Sequence, residues 1–409
     1  MVKPVDPADE TFGPRNLSGL GRLTVEAITG LTDLVEAVHH TVTSLSAVRG
    51  APQQHRTKGV TGMVYRNIRA TTELVGKGLD PLLDAVSALL DKQTTSPAYE
   101  ALLAALNGVL GDHLVARNNG LAIPMQFRRD GKAMGQSSLC QAVRPSKGRL
   151  VILVHGLCMN DLQWHRQGHD HGAAIARDLD FSQIYLHYNT GCHISENGKR
   201  FSDLLETTVR GIEAQCTLPI ELFIVAHSMG GLVSRSACHY GKVAGHDWPK
   251  RLRKLIFLGT PHQGSLLEKG GNLVDVILEI NPYSAPFSRL GKIRSRGITD
   301  LRYGHVVDED WQGRDRFECS GNHRTSVPLP QGVDCYTVAG TSRAESSALG
   351  DYLIGDGLVT LDSALGRHPD PRLNLAFPSE HQWVGRNLNH MDLLNHPKAY
   401  ATILKWLKD

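Results

Sequence analysis

Five short apolar runs, spaced along the chain with helix-like or polar segments between them, constrain the fold most strongly. Most of them are apolar without alternation, which indicates strands buried on both faces of a sheet. They read RLVILVHG (149–156), FSQIYLHYN (181–189), ELFIVAHS (221–228), KLIFLGTPH (254–262) and DCYTVAG (334–340). Repeated strand and helix units of this kind predict a mainly parallel sheet with helices on both faces.

Helix-like segments fill several of the gaps between these strands, and a hairpin precedes them. The helical segments are GAAIARDL (172–179), KRFSDLLETTVRGIEAQ (199–215) and GGLVSRSACHYGKV (230–243). Upstream, LAIPMQF (121–127) and SSLCQAV (137–143) flank Asp130-Gly131, a pair that favours a tight turn between two strands. We therefore expect residues 121–409 to form one α/β domain.

Residues 1–120 have a different pattern, in which apolar residues recur every three or four positions along predicted helices. Proline marks two of the helix starts, at Pro81 and Pro97. Two interpretations of this N-terminal helical region remain open: a small bundle packed on the main domain, or a surface that contacts lipid, a membrane or a protein partner. Few aromatic residues lie on its faces, which argues against strong insertion into a membrane surface.

The stretch from 265 to 330 interrupts the alternation of strands and helices. It contains the helix-like NLVDVILEI (272–280), followed by a polar remainder with several glycines. Because it lies between two strands of the predicted sheet, it is predicted to be a lid or cap insertion.

Charge and cysteine content limit the classes of function and the compartment. The 409 residues include 44 basic and 41 acidic side chains, so neither nucleic acid nor an acidic membrane is indicated as a partner. Seven scattered cysteines without C-x-x-C spacing indicate mostly reduced thiols, with a Cys319–Cys335 disulfide as the alternative. The N-terminus lacks a signal-peptide pattern, and no apolar run is long enough to span a membrane. We expect a cytoplasmic protein whose contact with membranes, if any, is peripheral.

Residues 224–233, IVAHSMGGLV, pass from an apolar run through a serine to two glycines. A serine hydroxyl becomes a useful nucleophile when a base removes its proton and the backbone presents its oxygen to the substrate. A tight strand-to-helix turn provides that presentation, and small neighbours let the backbone crowd there. Ala226 stands where the G-x-S-x-G pattern has glycine, a difference of one methyl. Ser228 is therefore the candidate nucleophile; the alternative is a strand–helix junction that merely contains a serine.

An oxyanion that develops on a substrate carbonyl needs two backbone N–H donors held in place beforehand. Met229 follows the candidate nucleophile, so its N–H is one expected donor. The other is expected from the loop after an earlier strand, where VILVHGLCMN (151–160) places Leu157 directly after His155 and Gly156. His155 alone would equally suit a buried core histidine, whereas the His-Gly-Leu unit is more specific.

The acid that orients the base and the base itself are expected downstream, in the order aspartate, histidine. Asp356 lies between two glycines in a predicted turn, where a carboxylate can point at an imidazole. Its rivals Asp351 and Asp362 better suit solvated positions or helix ends.

His390 is the candidate base, because it lies in a loop just before the last predicted helix, HPKAYATILKWL (396–407). His396 precedes a proline at the start of that helix and is expected to be structural, and His381 is a weaker rival. Asp392 is expected to cap the final helix.

Five motifs occur along the chain in a recognisable order. They are VHGL (154–157), AHSMGG (226–231), GTPHQGS (259–265), GDGLV (355–359) and NHMDLL (389–394). Together they resemble the α/β-hydrolases of the bacterial lipase and GPI-inositol-deacylase-like group, and they span nearly all of residues 121–409. The resemblance does not reach the N-terminal helical region.

This resemblance implies an α/β-hydrolase fold with Ser228 as nucleophile, His390 as base and Asp356 as the residue that orients the base. It also implies the N–H groups of Leu157 and Met229 as oxyanion donors, and no cofactor. His262 lies in a segment that resembles a structural turn of the family and is assigned no catalytic role. Some similar lipases bind calcium through an aspartate placed like Asp392, but this chain shows no convincing partner ligands, so no metal is expected.

The stretch WHRQGHDHG (164–172) places three histidines and an aspartate close together, at His165, His169, Asp170 and His171. Histidine and aspartate can bind a transition metal. No helical pair of histidines with a catalytic glutamate occurs here, so a polar loop lining the entrance of the site is the preferred interpretation.

These features predict a serine hydrolase that cleaves carboxylic esters, an esterase or lipase acting on a small-molecule or lipid ester through an acyl-enzyme. Two other classes stay open. One is an acyltransferase, thioesterase or amidase that uses the same three residues. The other is a lipid-associated binding protein in which residues 1–120 are the working part.

Overall fold

A computed structural model describes residues 97–265, 295–313, 324–342 and 355–409 of the chain, and its centre is an eight-stranded sheet. The strands, numbered along the chain, are β1 (Gln126–Arg129), β2 (Lys132–Ala133), β3 (Arg149–Val154), β4 (Ser182–His187), β5 (Glu221–His227), β6 (Leu252–Leu258), β7 (Asp334–Thr341) and β8 (Gln382–Arg386). Their order in the sheet is β2-β1-β4-β3-β5-β6-β7-β8. Strands β4, β3, β5, β6, β7 and β8 pair parallel in that order, and β1 pairs antiparallel with both β2 and β4. The predicted α/β architecture is confirmed.

Helices cover both faces of this sheet. They are α1 (Pro97–Ala116), α2 (Gln136–Val143), α3 (His171–Leu179), α4 (Ile194–Cys216), α5 (Met229–Val243), α6 (Arg296–Tyr303), α7 (Leu361–Ala364) and α8 (Pro397–Lys408). Successive side chains of a strand point to opposite faces, and β3 shows the result. Leu150 and Ile152 pack with α1, α2, α4, α5 and α6, whereas Val151 and Leu153 pack with α3 and α8. The unbroken apolar runs in the sequence follow from this double burial.

Two details of the predicted elements are wrong. Residues 137–143 form helix α2 and not a strand, because Leu139, Cys140 and Val143 lie at helical spacing and bury one face. Strand β8 was not predicted, since this edge strand is only partly buried and carries no apolar run. The turn between β1 and β2 is confirmed: Asp130 and Gly131 both have positive φ, of 51° and 71°, as a two-residue hairpin turn requires.

Helix α1 begins at Pro97, where the sequence predicts a helix start, and it is part of the main core. Its side chains Leu102, Leu106 and Leu110 join the same apolar cluster as the strands. The amide of Asn107 fastens the helix to the following loop, donating to Leu121 O at 2.8 Å and accepting from Ile123 N at 3.0 Å. The division of the chain at residue 120 stays a prediction, and residues 1–96 lie outside the described residues.

The described parts of the predicted lid, 295–313 and 324–330, are built into the domain. Asp300 of α6 is buried, and its Oδ2 accepts from His193 Nδ1 at 2.8 Å and from Ile194 N at 2.9 Å. Val306 and Val327 lie in the apolar core beside this segment. The helix-like stretch 272–280 lies outside the described residues, so the lid as such stays a prediction.

Two expectations about the whole chain concern cysteine and membranes. The six described cysteines are free thiols; Cys335 is one of them and is buried, while Cys319 lies outside the described residues. Within the described ranges, no helix is both long and apolar enough to cross a membrane.

Candidate active site

Ser228 lies at the junction of β5 and α5 with an unusual backbone conformation. Its φ of 53° and ψ of −124° fall in a region that side-chain-bearing residues rarely adopt. The turn is fixed from the neighbouring strand, since Ser228 N donates to Leu258 O at 2.8 Å. This is the strained strand-to-helix turn that presents a serine hydroxyl at the edge of an α/β sheet.

Asp356 and His390 form a buried hydrogen-bonded pair. Nδ1 of His390 lies 2.7 Å from Oδ2 of Asp356, and the backbone N–H of His390 donates to Asp356 O at 3.0 Å. The other carboxylate oxygen, Oδ1, accepts from Leu358 N at 3.0 Å and Val359 N at 2.8 Å. Both side chains are less than 5% exposed. Because the carboxylate holds Nδ1–H, Nε2 of the imidazole is left as the basic nitrogen.

His390 lies next to the turn that carries Ser228. A Cβ placed on Gly259, the residue after Leu258, would lie 3.0 Å from the His390 ring; Gly259 has a φ of +57°. From the other side, the rings of His227 and His390 are 4.6 Å apart, and His227 Nε2 lies 3.3 Å from His390 O. The three residues singled out in the sequence are thus brought to one end of the sheet.

The expected oxyanion donors lie on either side of this serine. A Cβ on Gly156, the residue before Leu157, would be 3.0 Å from Ser228 Cβ, so the loop touches the candidate nucleophile. Met229 begins helix α5 and is fully buried. In the described part of the chain, no acceptor binds the N–H of Leu157 or of Met229. Both amides therefore remain available to a substrate oxygen.

Several residues that hold the loop after β3 were not identified from the sequence. The hydroxyl of Tyr188 donates to His155 O at 2.8 Å, and Thr190 Oγ1 accepts from Cys158 N at 3.2 Å. Helix α1 presses on the same loop, because a Cβ on Gly108 would lie 2.2 Å from Cys158 Sγ. These contacts come from segments distant in the chain, and no local pattern indicates them.

The histidines around the site are held neutral by burial. His155 is fully buried and stacked on Tyr188 at 4.5 Å, and burial lowers its pKa to about 3. Burial, together with the neighbouring His390, also lowers the pKa of His227 well below its usual range. His155 is therefore a core histidine that supports the loop.

The rival residues have structural partners. His381 Nδ1 binds Cys335 O at 3.1 Å, and His396 caps α8 by accepting from Lys398 N at 3.2 Å. Asp362 lies in the first turn of α7. The expectation that Asp392 caps the final helix is wrong, because its carboxylate accepts from Asn389 N at 2.9 Å and shapes the loop that carries His390.

The histidine cluster after Trp164 runs from the exposed His165, through the half-buried His169 and Asp170, to the buried His171. Asp170 caps α3, accepting from Ala173 N at 2.9 Å, and His171 is fully buried. His171 bonds His169 at 2.8 Å and, through Nε2, Leu393 O at 2.9 Å, so it joins α3 to the loop of His390. No group of three or more potential metal ligands occurs among the described residues.

Part of the chain is similar to a known α/β domain family, and the chain is similar to several solved structures. Residues 145–331 match the family model of the PGAP1-like alpha/beta domain. No curated protein matches the chain. Similar solved structures include the mature form of Bacillus licheniformis lipase BlEst2, which is 20% identical with a TM-score of 0.40 over 63% of this chain and 91% of that one. Aspergillus fumigatus lipase B is 13% identical with a TM-score of 0.40, over 98% of this chain and 83% of that one.

The mainly parallel eight-stranded sheet and the turn at Ser228 agree with that domain match. The described residues have an α/β-hydrolase-like fold.

Proposed function

We propose that this chain is a serine hydrolase that cleaves carboxylic esters with Ser228 as nucleophile, His390 as general base and Asp356 as the residue that orients the base. The observation that carries the proposal is the buried 2.7 Å bond between Asp356 and His390, formed beside the strained turn at Ser228. A carboxylate, an imidazole and a serine hydroxyl in this arrangement are the machinery of acyl transfer.

The reaction has two halves. Nε2 of His390 takes the Ser228 proton as Oγ attacks the ester carbonyl. The resulting oxyanion accepts hydrogen bonds from the N–H groups of Leu157 and Met229. The protonated imidazole then gives its proton to the leaving alcohol, which leaves an acyl-enzyme. Water, deprotonated by His390, releases the acid and restores the serine. Asp356 stays ionised throughout and stabilises the imidazolium.

Replacement of Ser228 by alanine tests the proposal. We expect the rate of hydrolysis of p-nitrophenyl esters to fall by about 10⁴-fold or more, because no acyl-enzyme can form. Ser234→Ala is the matched control: Ser234 is a buried serine on the same helix, its hydroxyl bonds only Gly230 O at 2.8 Å, and its loss should leave the rate nearly unchanged. Full activity in Ser228→Ala would overturn the assignment.

The substrate class within esters is part of the proposal. Apolar acyl or lipid esters are proposed from the family resemblance, and a series of p-nitrophenyl esters of rising chain length tests this directly. Water and added alcohols or amines can be compared as acyl acceptors in the same assay. A product formed mainly with the added acceptor would replace the hydrolase by an acyltransferase that uses the same residues.

A further inference from the structure

A small cavity lies away from Ser228, and Arg235, His262 and Arg324 are among the residues that line it. Arg235 comes from α5, His262 from the turn after β6, and Arg324 from the segment that precedes β7. The cavity measures about 20 Å³, counted as room for the centres of water molecules. Roughly 10–15 Å³ by this measure holds one water, so the space suits a small group and not a large ligand.

Within the described ranges, Arg235 is a buried cation without a carboxylate partner. Its side chain makes two contacts: Nη2 donates to Val327 O at 2.6 Å, and Nη1 lies 3.4 Å from His262 Nδ1. Its Nε is buried and has no hydrogen-bond partner. Burial, with the nearby positive charge of Arg324, lowers the pKa of Arg235 to about 10. A buried charge left without a counter-charge is costly, so an occupant that supplies one is favoured.

His262 adds a second unused donor. Arginine can only donate, so the contact from Arg235 Nη1 makes His262 Nδ1 the acceptor and leaves the imidazole proton on Nε2. That Nε2 is buried and has no hydrogen-bond partner. Burial, followed by the charge of Arg235, lowers the pKa of His262 well below its usual range, so the ring stays neutral.

The other charged groups described at the cavity do not neutralise the positive charge of Arg235. Arg324 is a second guanidinium, and it bonds Gln263 Oε1 at 3.0 Å. Arg372 lies at the exposed edge and pairs with Asp370 at 2.6 Å. Asp310 is a buried acid whose charge acts on Arg235, and its carboxylate accepts from the N–H groups of residues 306, 307 and 325.

We propose that this cavity binds a single oxyanion group, such as a phosphate, through the guanidinium of Arg235, with His262 Nε2–H and the Arg324 guanidinium as further donors. The planar fork of arginine matches the geometry of phosphate and carboxylate oxygens. The cationic guanidinium of Arg235 and the neutral imidazole donor of His262 select an anion over a neutral ligand.

This site is separate from the ester-cleaving machinery. Arg235 lies seven residues after Ser228 on the same helix, which is about 10 Å at 1.5 Å per residue. An anion bound there would stabilise the packing of α5 against the turn after β6 and the segment before β7. The proposal does not depend on whether Ser228 is a nucleophile.

Thermal unfolding of the full chain in rising sodium phosphate tests the site, with sodium chloride at matched ionic strength as the reference. We expect a rise in melting temperature that saturates at low millimolar phosphate, because a specific site fills. General stabilisation by phosphate as a solvent salt instead grows steadily with concentration. The Ser228→Ala chain should show the same saturating rise.

Arg235→Met keeps the length of the side chain and removes its charge, so it should weaken phosphate binding by about tenfold or more. Arg253→Met is the matched control, since this exposed arginine pairs with Glu221 at 3.1 Å at the N-terminal ends of β5 and β6. If Arg235→Met does not fold, Arg324→Met carries the test and should weaken binding in the same direction.

Glycerol 3-phosphate, compared with inorganic phosphate, separates the two sources of the anion. Equal binding of both indicates the terminal phosphate of a larger ligand, and binding of inorganic phosphate alone indicates a free ion. Absence of any saturating effect of either probe, or equal binding in wild type and the Arg235 or Arg324 variant, would overturn the proposal.

Discussion

The two oxygens of Asp356 have different partners, and this explains how the side chain is fixed. Oδ1 is held by the N–H groups of Leu358 and Val359, while Oδ2 faces Nδ1 of His390. The backbone thus orients the carboxylate before the histidine does. Because both backbone donors need only an oxygen acceptor, an asparagine can keep the loop in place while it removes the charge.

Asp356→Asn should therefore lower kcat for ester hydrolysis by about 10³–10⁴-fold with little change in stability. The amide provides no negative charge to stabilise the imidazolium. When its NH₂ faces Nδ1, it also favours the tautomer with the proton on Nε2, which cannot accept the serine proton. Steady-state kinetics with a p-nitrophenyl ester measure the effect.

Asp362→Asn is the control for this substitution, because Asp362 is the aspartate most easily confused with Asp356 in the sequence. Its carboxylate lies on the partly exposed first turn of α7, 3.7 Å from Arg367. We expect its kcat to stay near that of the wild type. An Asp356→Asn enzyme within tenfold of wild-type kcat would contradict the assigned role.

At the scale of the elements, helix α1 has a direct effect on the loop that carries Leu157. Gly108 lies in the middle of the helix, where glycine is normally unfavourable by about 1 kcal/mol relative to alanine. Glycine is needed at position 108 because a Cβ there would lie 2.2 Å from Cys158 Sγ and 3.2 Å from Cys158 N. The side chain of Cys158 thus brings the oxyanion loop into contact with the helix.

Gly108→Ala should reduce both stability and kcat, against the trend of helix propensity. We expect a loss of about 1–3 kcal/mol in the free energy of unfolding from overpacking. We also expect kcat to fall by about tenfold, because a small displacement of Leu157 N–H weakens the oxyanion contact. Urea unfolding and ester kinetics measure the two effects.

A second substitution separates the clash from other effects of the alanine. Cys158 has a φ of 57°, a conformation that glycine adopts readily, so Cys158→Gly removes the sulfur without backbone strain. The double variant should recover most of the kcat lost in Gly108→Ala. Gly135→Ala, which meets no atom within 4 Å, should be neutral. A kcat that stays low in the double variant would show that the helix does not act through Cys158.

Five of the eight strands could be predicted because burial on both faces leaves a continuous apolar run, as in β3 and β5. Strand β8 lies at an edge and lacks that signature. Residues 137–143 were assigned to a strand because a short apolar segment looks alike in both structures when only three of its residues are buried.

At the scale of the whole molecule, the candidate active site leaves a pattern in the sequence, whereas the proposed anion cavity leaves none. Ser228, Asp356 and His390 follow a fixed order after successive strands, so chain order alone brings them forward as candidates. Arg235 and His262 stand in no such order, and their meeting depends on how α5 packs beside β6. Only the three-dimensional structure shows that Arg235 is buried and pairs with no carboxylate in the part of the chain that is described.

Burial of neutral histidines throughout the molecule gives its stability a definite dependence on pH. Burial lowers the pKa of His155 to about 3 and that of His171 to about 4. In the unfolded chain a histidine titrates near pH 6.5. Between that value and about pH 4 the unfolded chain therefore binds protons that the folded chain does not, and stability falls as the pH falls.

Acidic groups change the stability of the protein in a lower range of pH. Asp300 is fully buried; burial alone would raise its pKa, but hydrogen bonds from His193 and His305 lower the pKa below its usual range. Its contribution is complete above the unfolded pKa of about 3.9 and is lost only as the pH falls through the lower folded value. The loss of stability between pH 6.5 and 4 thus belongs mainly to the histidines.

His171→Gln tests this attribution at one position. Each buried neutral histidine contributes a slope of up to about 1.4 kcal/mol per pH unit in the free energy of unfolding. Urea unfolding of both proteins at pH 8 gives the packing cost of the substitution, since histidine is neutral there in both states. From pH 6 down to pH 4.5 the free energy of unfolding of the wild type should fall faster than that of His171→Gln. The difference in slope should correspond to about one bound proton, which is up to about 1.4 kcal/mol per pH unit. Parallel curves over that range would show that His171 does not stay neutral in the folded protein.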